Sequence, residues 1–349
     1  MRLITYRKEG EERLGAWIDG DRQVVELAAA ARLKRGQPWG AAASMQALID
    51  AGPGAWDEAR ALVERPPAEA VVPSAACALL APLPRPLSLR DSVCFPEHLA
   101  GAQRMAGERI ARASPDPARK RAELEAAGFF QVPKAFYEFP VYYLCNTLSV
   151  VGTGADIEWP PYSRFIDYEL EWAAVIGLEG RRIARDQAAR HIFGYTVFND
   201  WSARDEQLKV MAGAINLGPG QGKDFCNGLG PCIVTADELR DPYALTMTAR
   251  VDGETYSRGS TATMHYRFED LIVHFTRGHA LYPGELLASG TVGGGCCVET
   301  GRVIRPGQVV ELEVEGIGVL RNRVVAPHFE QGARVSPEQA DGLARMLKR

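Results

Sequence analysis

The chain has 349 residues, 46% of them hydrophobic and 24% charged, with a formal net charge of -4 and a pI near 6.0. These are ordinary globular values that leave ample material for a core and no basic footprint for nucleic acid. No stretch approaches the ~18 apolar residues of a membrane span, and the opening MRLITYRKEGEERLG lacks the apolar core of a signal peptide, so a cytoplasmic protein is expected. Seven cysteines (77, 94, 145, 226, 232, 296 and 297) form no CxxC pair and read as reduced, mostly buried thiols.

In chain order, MRLITYR and GAWID alternate as strands and DGDR turns the chain into VVEL. Helical stretches follow around 40–50 and 56–64, before proline-rich breaks at 66–67 and at APLPRP (81–86), the best linker. Residues 1–80 thus read as a small N-terminal α/β unit. From about 87 to 326 short strands dominate, separated by Gly and Pro turns: SVVGTGADIEWP, GYTVFND, GPCIVT, LTMTARVDG, GELLASGTVG and VVELEVEGIGVLRNRVV. An Ala- and Arg-rich helical stretch spans 99–128, broken at SPDP (114–117). Two further helices are predicted, DQAARHIFGY, capped by Asp186 and stopped by Gly194, and RFEDLIVHFTRG. Residues 327–349 form a C-terminal tail. The class is α+β and β-rich, because the regular strand–helix alternation of a doubly wound sheet is missing.

FIDYELEWAAVIG carries Asp167, Glu169 and Glu171 at alternate positions of a run that otherwise reads as a buried strand. At the strand period of two they emerge on one face, neighbours about 7 Å apart. At an effective dielectric near 20 their repulsion is roughly 6 kcal/mol, comparable to a domain's net stability. A bound divalent cation would offset it. Oxygen donors without His or Cys spacing favour Mg²⁺, with Mn²⁺ or Ca²⁺ possible, over Zn²⁺; the competing reading is a solvated acidic strand face, and Asp167 could take a supporting role. In NDWSARD, Asp200 ends a strand, as a ligand or as a helix cap. Asp91 and His98 stand seven residues apart; His98 suits a general base, or is structural. Lys223 in GQGKDF suits an anion, or is a surface lysine in a turn. LYPGELLASGTVGGG offers Thr291 and a glycine cluster to a carboxylate, or is a sharp hairpin. Neither GTG nor GGG meets GxGxxG before a helix, which excludes a dinucleotide site of that kind.

Taken together and in order, DYELEWAAVIG, HIFGYTVFNDWSARD, GKDF followed by GP, PGELLASGTVG and VEGIGVLRN resemble the fumarylacetoacetate hydrolase family, over roughly residues 88 to 325. The resemblance implies a mixed β-roll with a helical lid at about 99–135 and a divalent metal held by Asp91, Glu169, Glu171 and Asp200. It implies His98 as catalytic base, and substrate contacts from Tyr143, Gln207, Lys223 and Thr291. Arg104 or Arg109 stands where the family's carboxylate-binding arginine is sought; Glu299, or Glu97, is the candidate to orient His98. A homodimer formed by the β-rich part is what the resemblance implies.

The expected reaction is hydrolysis of a carbon–carbon bond in a 2,4-dioxo acid through a stabilised enolate, with Lys223 holding developing negative charge. The seven-residue spacing of Asp91 and His98 favours it over hydration, isomerisation or decarboxylation of a related 2-oxo acid. A non-catalytic binder of small acids has no need of a general base.

Overall fold

The computed structural model describes residues 1–212 and 218–326; the tail at 327–349 lies outside them. The protein is a mixed, strand-rich α+β fold built on a large mixed sheet. The N-terminal strands Arg2–Lys8, Glu11–Ile18, Gln23–Glu26 and Val71–Pro73 form one side of that sheet. It continues through Asn227–Thr235, Ile192–Asp200, Leu170–Ile176, Glu285–Ala288, Ser88–Ser92 and Tyr142–Leu144. The join is direct: Arg2 lies opposite Val234 and Leu3 opposite Ile233. A second sheet of five strands takes Glu254–Ser260, Thr246–Val251, Val309–Val314, Gly318–Val325 and Asp156–Glu158 in that order.

Alternation along the central strands divides the interior into two cores. Leu170, Trp172, Ala174 and Ile176 enter one; Ala173 and Val175 enter the other, with Phe198, Leu286, Ala288 and Leu89. Every residue of Leu170–Ile176 and of Ile192–Asp200 is buried, as expected of strands covered on both faces. The parity matters for the site. Glu171, Asp200 and Asp91 share their sheet face with Ala173, Phe198 and Leu89, two residues away on the same strands.

The helix expected over DQAARHIFGY does not form. A single 3₁₀ turn, Ala188–His191, leads straight into the strand Ile192–Asp200, and Gly194 lies inside that strand. The glycine answers to packing: a Cβ there would stand 2.4 Å from the Val234 carbonyl oxygen of the neighbouring strand. The SPDP break separates the helices Pro96–Arg112 and Pro117–Ala126; Asp116 caps the second, accepting from the Arg119 N–H at 3.0 Å. The apolar periodicity of RFEDLIVHF gives the helix Phe268–Phe275, with Phe268, Leu271, Ile272 and Phe275 buried. Among the described residues no helix is long and apolar enough to cross a membrane, and all seven cysteines are free thiols.

Candidate metal centre and base dyad

Neighbouring strands of the large sheet deliver the site. Asp200 ends one strand, Glu171 lies on the next, and Asp91 lies two strands further on. Asp91 is paired with Ala288 of the intervening strand, which in turn pairs with Ala173. The methyl side chain of Ala288 leaves room above it. Glu169 precedes the strand Leu170–Ile176, its own N–H held by the Asn199 side-chain oxygen at 2.9 Å.

One carboxylate oxygen from each of Asp91, Glu169, Glu171 and Asp200 lies within 4.8 Å of the others, and all four residues are buried. Octahedral magnesium, with bonds of about 2.0–2.1 Å, needs ligand oxygens roughly 3–4 Å apart. Two oxygens in the cluster, Glu171 Oε2 and Asp200 Oδ1, are buried without a hydrogen-bond partner. Such orphaned acceptors are costly unless a proton or a cation meets them. Donor chemistry, spacing and orphaned oxygens therefore all fit a hard divalent cation.

The electrostatics are those of crowded buried acids. Burial, reinforced by Asp200, pushes the Asp91 carboxyl up to about 8. Glu171 is driven well above the carboxylate range by burial and by Asp91; burial also raises Asp200, with Lys223 opposing. Glu169 goes the other way: burial alone would raise it, but Lys223 and Arg204 outweigh that and hold it at about 2. Lys223, 3% exposed, bonds Glu169 Oε2 and donates to Asp200 Oδ2 at 2.6 Å. Tyr143 donates to Asp91 Oδ2 at 2.6 Å and also contacts Asp200 Oδ2. One hydroxyl proton cannot serve two carboxylates, which fits a second proton retained between the aspartates.

The strand containing the three alternating acids is broken. Ile166–Asp167 pairs with Ser202–Ala203, separately from Leu170–Ile176. Asp167 stands behind the cluster, accepting from the Cys297 N–H at 2.8 Å, the Val298 N–H at 3.1 Å and Arg204 Nε at 2.9 Å. Arg204, not singled out from the sequence, also reaches Glu169 Oε1 at 2.7 Å through Nη1. The signal was present in NDWSARD: an arginine four residues past a candidate ligand at the start of a helix.

His98 lies in the first turn of Pro96–Arg112, with Nδ1 2.8 Å from Glu299 Oε2. The Gly294 N–H steadies Glu299 Oε1 at 3.0 Å. Gly101, one turn beyond His98, makes room: a Cβ there would lie 2.3 Å from Glu299 Oε1. Of the two candidates for His98's partner, the fold brings Glu299 to it. Thr291 donates to Glu171 Oε1 at 3.2 Å, and Gln207 accepts from Arg204 Nη1 at 3.0 Å. The Gly290 N–H donates to Asp91 Oδ1 at 3.1 Å, so that glycine serves a carboxylate of the protein itself. Arg104 and Arg109 are exposed on Pro96–Arg112, and Arg104 makes no side-chain hydrogen bond or ion pair among the described residues.

The model of the fumarylacetoacetate (FAA) hydrolase C-terminal family matches residues 109–325. The chain belongs to the fumarylacetoacetate hydrolase family. Among its relatives, the human mitochondrial oxaloacetate tautomerase FAHD2A is 36% identical over 187 residues, covering 53% of this chain and 59% of that protein. The chain thus spans under two thirds of that relative's length. An uncharacterised protein of Methanocaldococcus jannaschii is 35% identical over 191 residues, 54% of this chain and 73% of that one. In three dimensions the chain is similar to a fumarylacetoacetate hydrolase from Exiguobacterium antarcticum, with TM-score 0.68, 24% identity and coverage of 93% and 99% of the two chains. It is also similar to maleylpyruvate hydrolase from Sphingobium sp. SYK-6, with TM-score 0.65, 19% identity and coverage of 94% and 100%. The family's members include hydrolases, isomerases and tautomerases. Asp91 and His98 lie before the residues that the family model matches.

Proposed function

We propose that this protein is a divalent-metal-dependent hydrolase that cleaves a carbon–carbon bond in a 2,4-dioxo acid of the acylpyruvate type or in the related β-diketo acid of the fumarylacetoacetate type. The observation that carries this reading is the His98–Glu299 pair beside the tetracarboxylate cluster. Asp91, Glu169, Glu171 and Asp200 would hold Mg²⁺ or Mn²⁺; the manganese and pyruvate named for the Sphingobium enzyme agree with a hard cation and a 2-oxo acid. Such a cation supplies Lewis-acid stabilisation of enolate charge.

The chain's own groups supply the rest. With the Nδ1 proton donated to Glu299, His98 presents Nε2 as a proton acceptor. It would take a proton from water as the hydroxyl adds to the distal carbonyl carbon. The bond to the methylene carbon then breaks, its electron pair moves into the enolate, and that carbon regains a proton. The products are a carboxylic acid and, from an acylpyruvate, a 2-oxo acid, or, from a fumarylacetoacetate, a 3-oxo acid. Glu299 steadies the imidazolium, while Lys223, Gln207 and Thr291 would orient the substrate's oxygens. The helices Pro96–Arg112 and Pro117–Ala126 would close over it and exclude water, the role expected of the lid. A homodimer in the cytoplasm completes the reading, the location resting on the seven free thiols.

A second reading is favoured by the tautomerases among the relatives. His98 would then move a proton at the methylene carbon of a 2-oxo diacid, and no bond between carbons would break.

The test is incubation with Mg²⁺ and a panel of acetylpyruvate, fumarylpyruvate, fumarylacetoacetate, oxaloacetate and 2-hydroxypenta-2,4-dienoate, with products followed by NMR. Pyruvate released from an acylpyruvate, lost by at least about 100-fold in His98→Ala, supports the hydrolase. Enol–keto exchange of oxaloacetate without cleavage of any diketo acid replaces it with the tautomerase.

A further inference from the structure

Cys296 has no part in the chemistry above, yet its thiol lies 3.4 Å from Glu299 Oε2, the same oxygen that meets His98 Nδ1 at 2.8 Å. One ligand atom from each of His98, Cys296 and Glu299 falls within 4.8 Å of the others. We propose that these three residues form a second metal site, specific for a thiophilic cation such as Zn²⁺ and distinct from the carboxylate cluster.

The argument is one of donor type and spacing. The cluster of Asp91, Glu169, Glu171 and Asp200 offers four oxygens, the preference of Mg²⁺ and Mn²⁺. The second group offers nitrogen, sulfur and oxygen, the set that zinc selects. Zinc bond lengths at tetrahedral angles put sulfur and oxygen ligands about 3.5 Å apart, and nitrogen and oxygen about 3.3 Å apart. The observed 3.4 Å and 2.8 Å ask only that His98 and Glu299 part by about 0.5 Å. The ligands are already oriented: Gly294 fixes Glu299 Oε1, and Cys296 is held beside Glu169 by an isolated β-bridge. Three protein ligands leave the fourth position to water.

Binding here switches the histidine. The cation takes Nδ1, the imidazole proton moves to Nε2, and the Cys296 thiol releases its proton to solvent. The ring stays neutral but no longer presents a free acceptor. On the function proposed above, zinc therefore inhibits the magnesium-loaded enzyme; the site itself rests on geometry and stands without that function.

Direct binding provides the test. Protein saturated with Mg²⁺ is titrated with Co²⁺ and followed by absorbance for a thiolate-to-cobalt charge-transfer band, while competing Zn²⁺ is measured by equilibrium dialysis. The band is expected in the parent and in Glu171→Ala, because it does not depend on the carboxylate cluster. Cys296→Ser should abolish it and weaken Zn²⁺ binding at least tenfold. Glu299→Gln, a second variant should Cys296→Ser misfold, should weaken cobalt binding while retaining the band. Absence of a thiolate band in the parent, or undiminished zinc affinity in folded Cys296→Ser, overturns the proposal. Zinc binding without inhibition leaves the site standing and counts against His98 as the base.

Discussion

Asp91 and Glu169 show how one cluster can hold carboxyls at opposite ends of the titration range. Both are fully buried, but Glu169 meets an ammonium and a guanidinium whereas Asp91 meets another acid. Two cations, Lys223 and Arg204, face five carboxylates if Asp167 is included, and that imbalance is what a divalent ion would reduce. Mg²⁺ should therefore raise the melting temperature of the parent but not of Glu169→Ala or Glu171→Ala; equal stabilisation of all three in calorimetry would remove these residues as ligands. The pH dependence has a definite sign. Asp91's folded pKa of about 8 lies above its unfolded value, so the metal-free fold retains protons that the unfolded chain gives up, and its stability falls as pH rises from about 4 to about 8. Cation binding must expel those protons, so Mg²⁺ affinity should climb through the same window and level off above it. Titration calorimetry at pH 6, 7 and 8 checks this; affinity that is flat with pH would contradict the raised Asp91.

At the scale of elements, the helix Pro96–Arg112 carries the proposed base, His98, and the space for its partner Glu299. Gly101→Ala places a methyl group 2.3 Å from Glu299 Oε1 and should separate Glu299 from His98. Turnover should drop by about 10- to 100-fold while Mg²⁺ affinity stays within a factor of two, because Asp91, Glu171 and Asp200 lie on strands and Glu169 directly precedes one, away from that helix. A variant with full activity would show that the dyad tolerates displacement. The same scale explains where sequence reading succeeded and failed. Phe268–Phe275 was legible because its apolar residues recur at helical spacing. Residues 186–194 imitate helix punctuation with Asp186 and Gly194, whereas Gly194 serves close approach to Val234 inside a strand. The Asp200 cap reading fails for a similar reason: the strand runs through Asp200 itself, and the helix starts only at Arg204.

Across the whole molecule, the N-terminal residues are woven into the sheet that bears the site. Strand Arg2–Lys8 pairs with Asn227–Thr235, and Leu3, Ile4 and Tyr6 are fully buried. Residues 84–326 produced alone would expose that strand edge and lack two thirds of the buried residues of one core. They should lose a cooperative urea transition or aggregate; a sharp transition near that of the full chain would show that the first 83 residues are dispensable for folding. The residue types of the site were already set in the sequence: oxygen donors for a hard cation, one histidine with a seven-residue link to Asp91, and a lysine after glycines. Local alternation and turn residues also placed most strands, because those depend on neighbours in the chain. Tertiary structure alone decided which partners meet. It chose Glu299 over Glu97 for His98, turned Lys223 onto Glu169 and Asp200, set Arg204 between Asp167 and Glu169, and left Arg104 exposed. Glu299 lies 201 positions from His98, and Asp91 and Glu171 meet across the strand between them, at the level of the small residue Ala288. Spacing along a chain carries no information about separations set by sheet order, and it is those separations that bring the acids, the lysine and the histidine together.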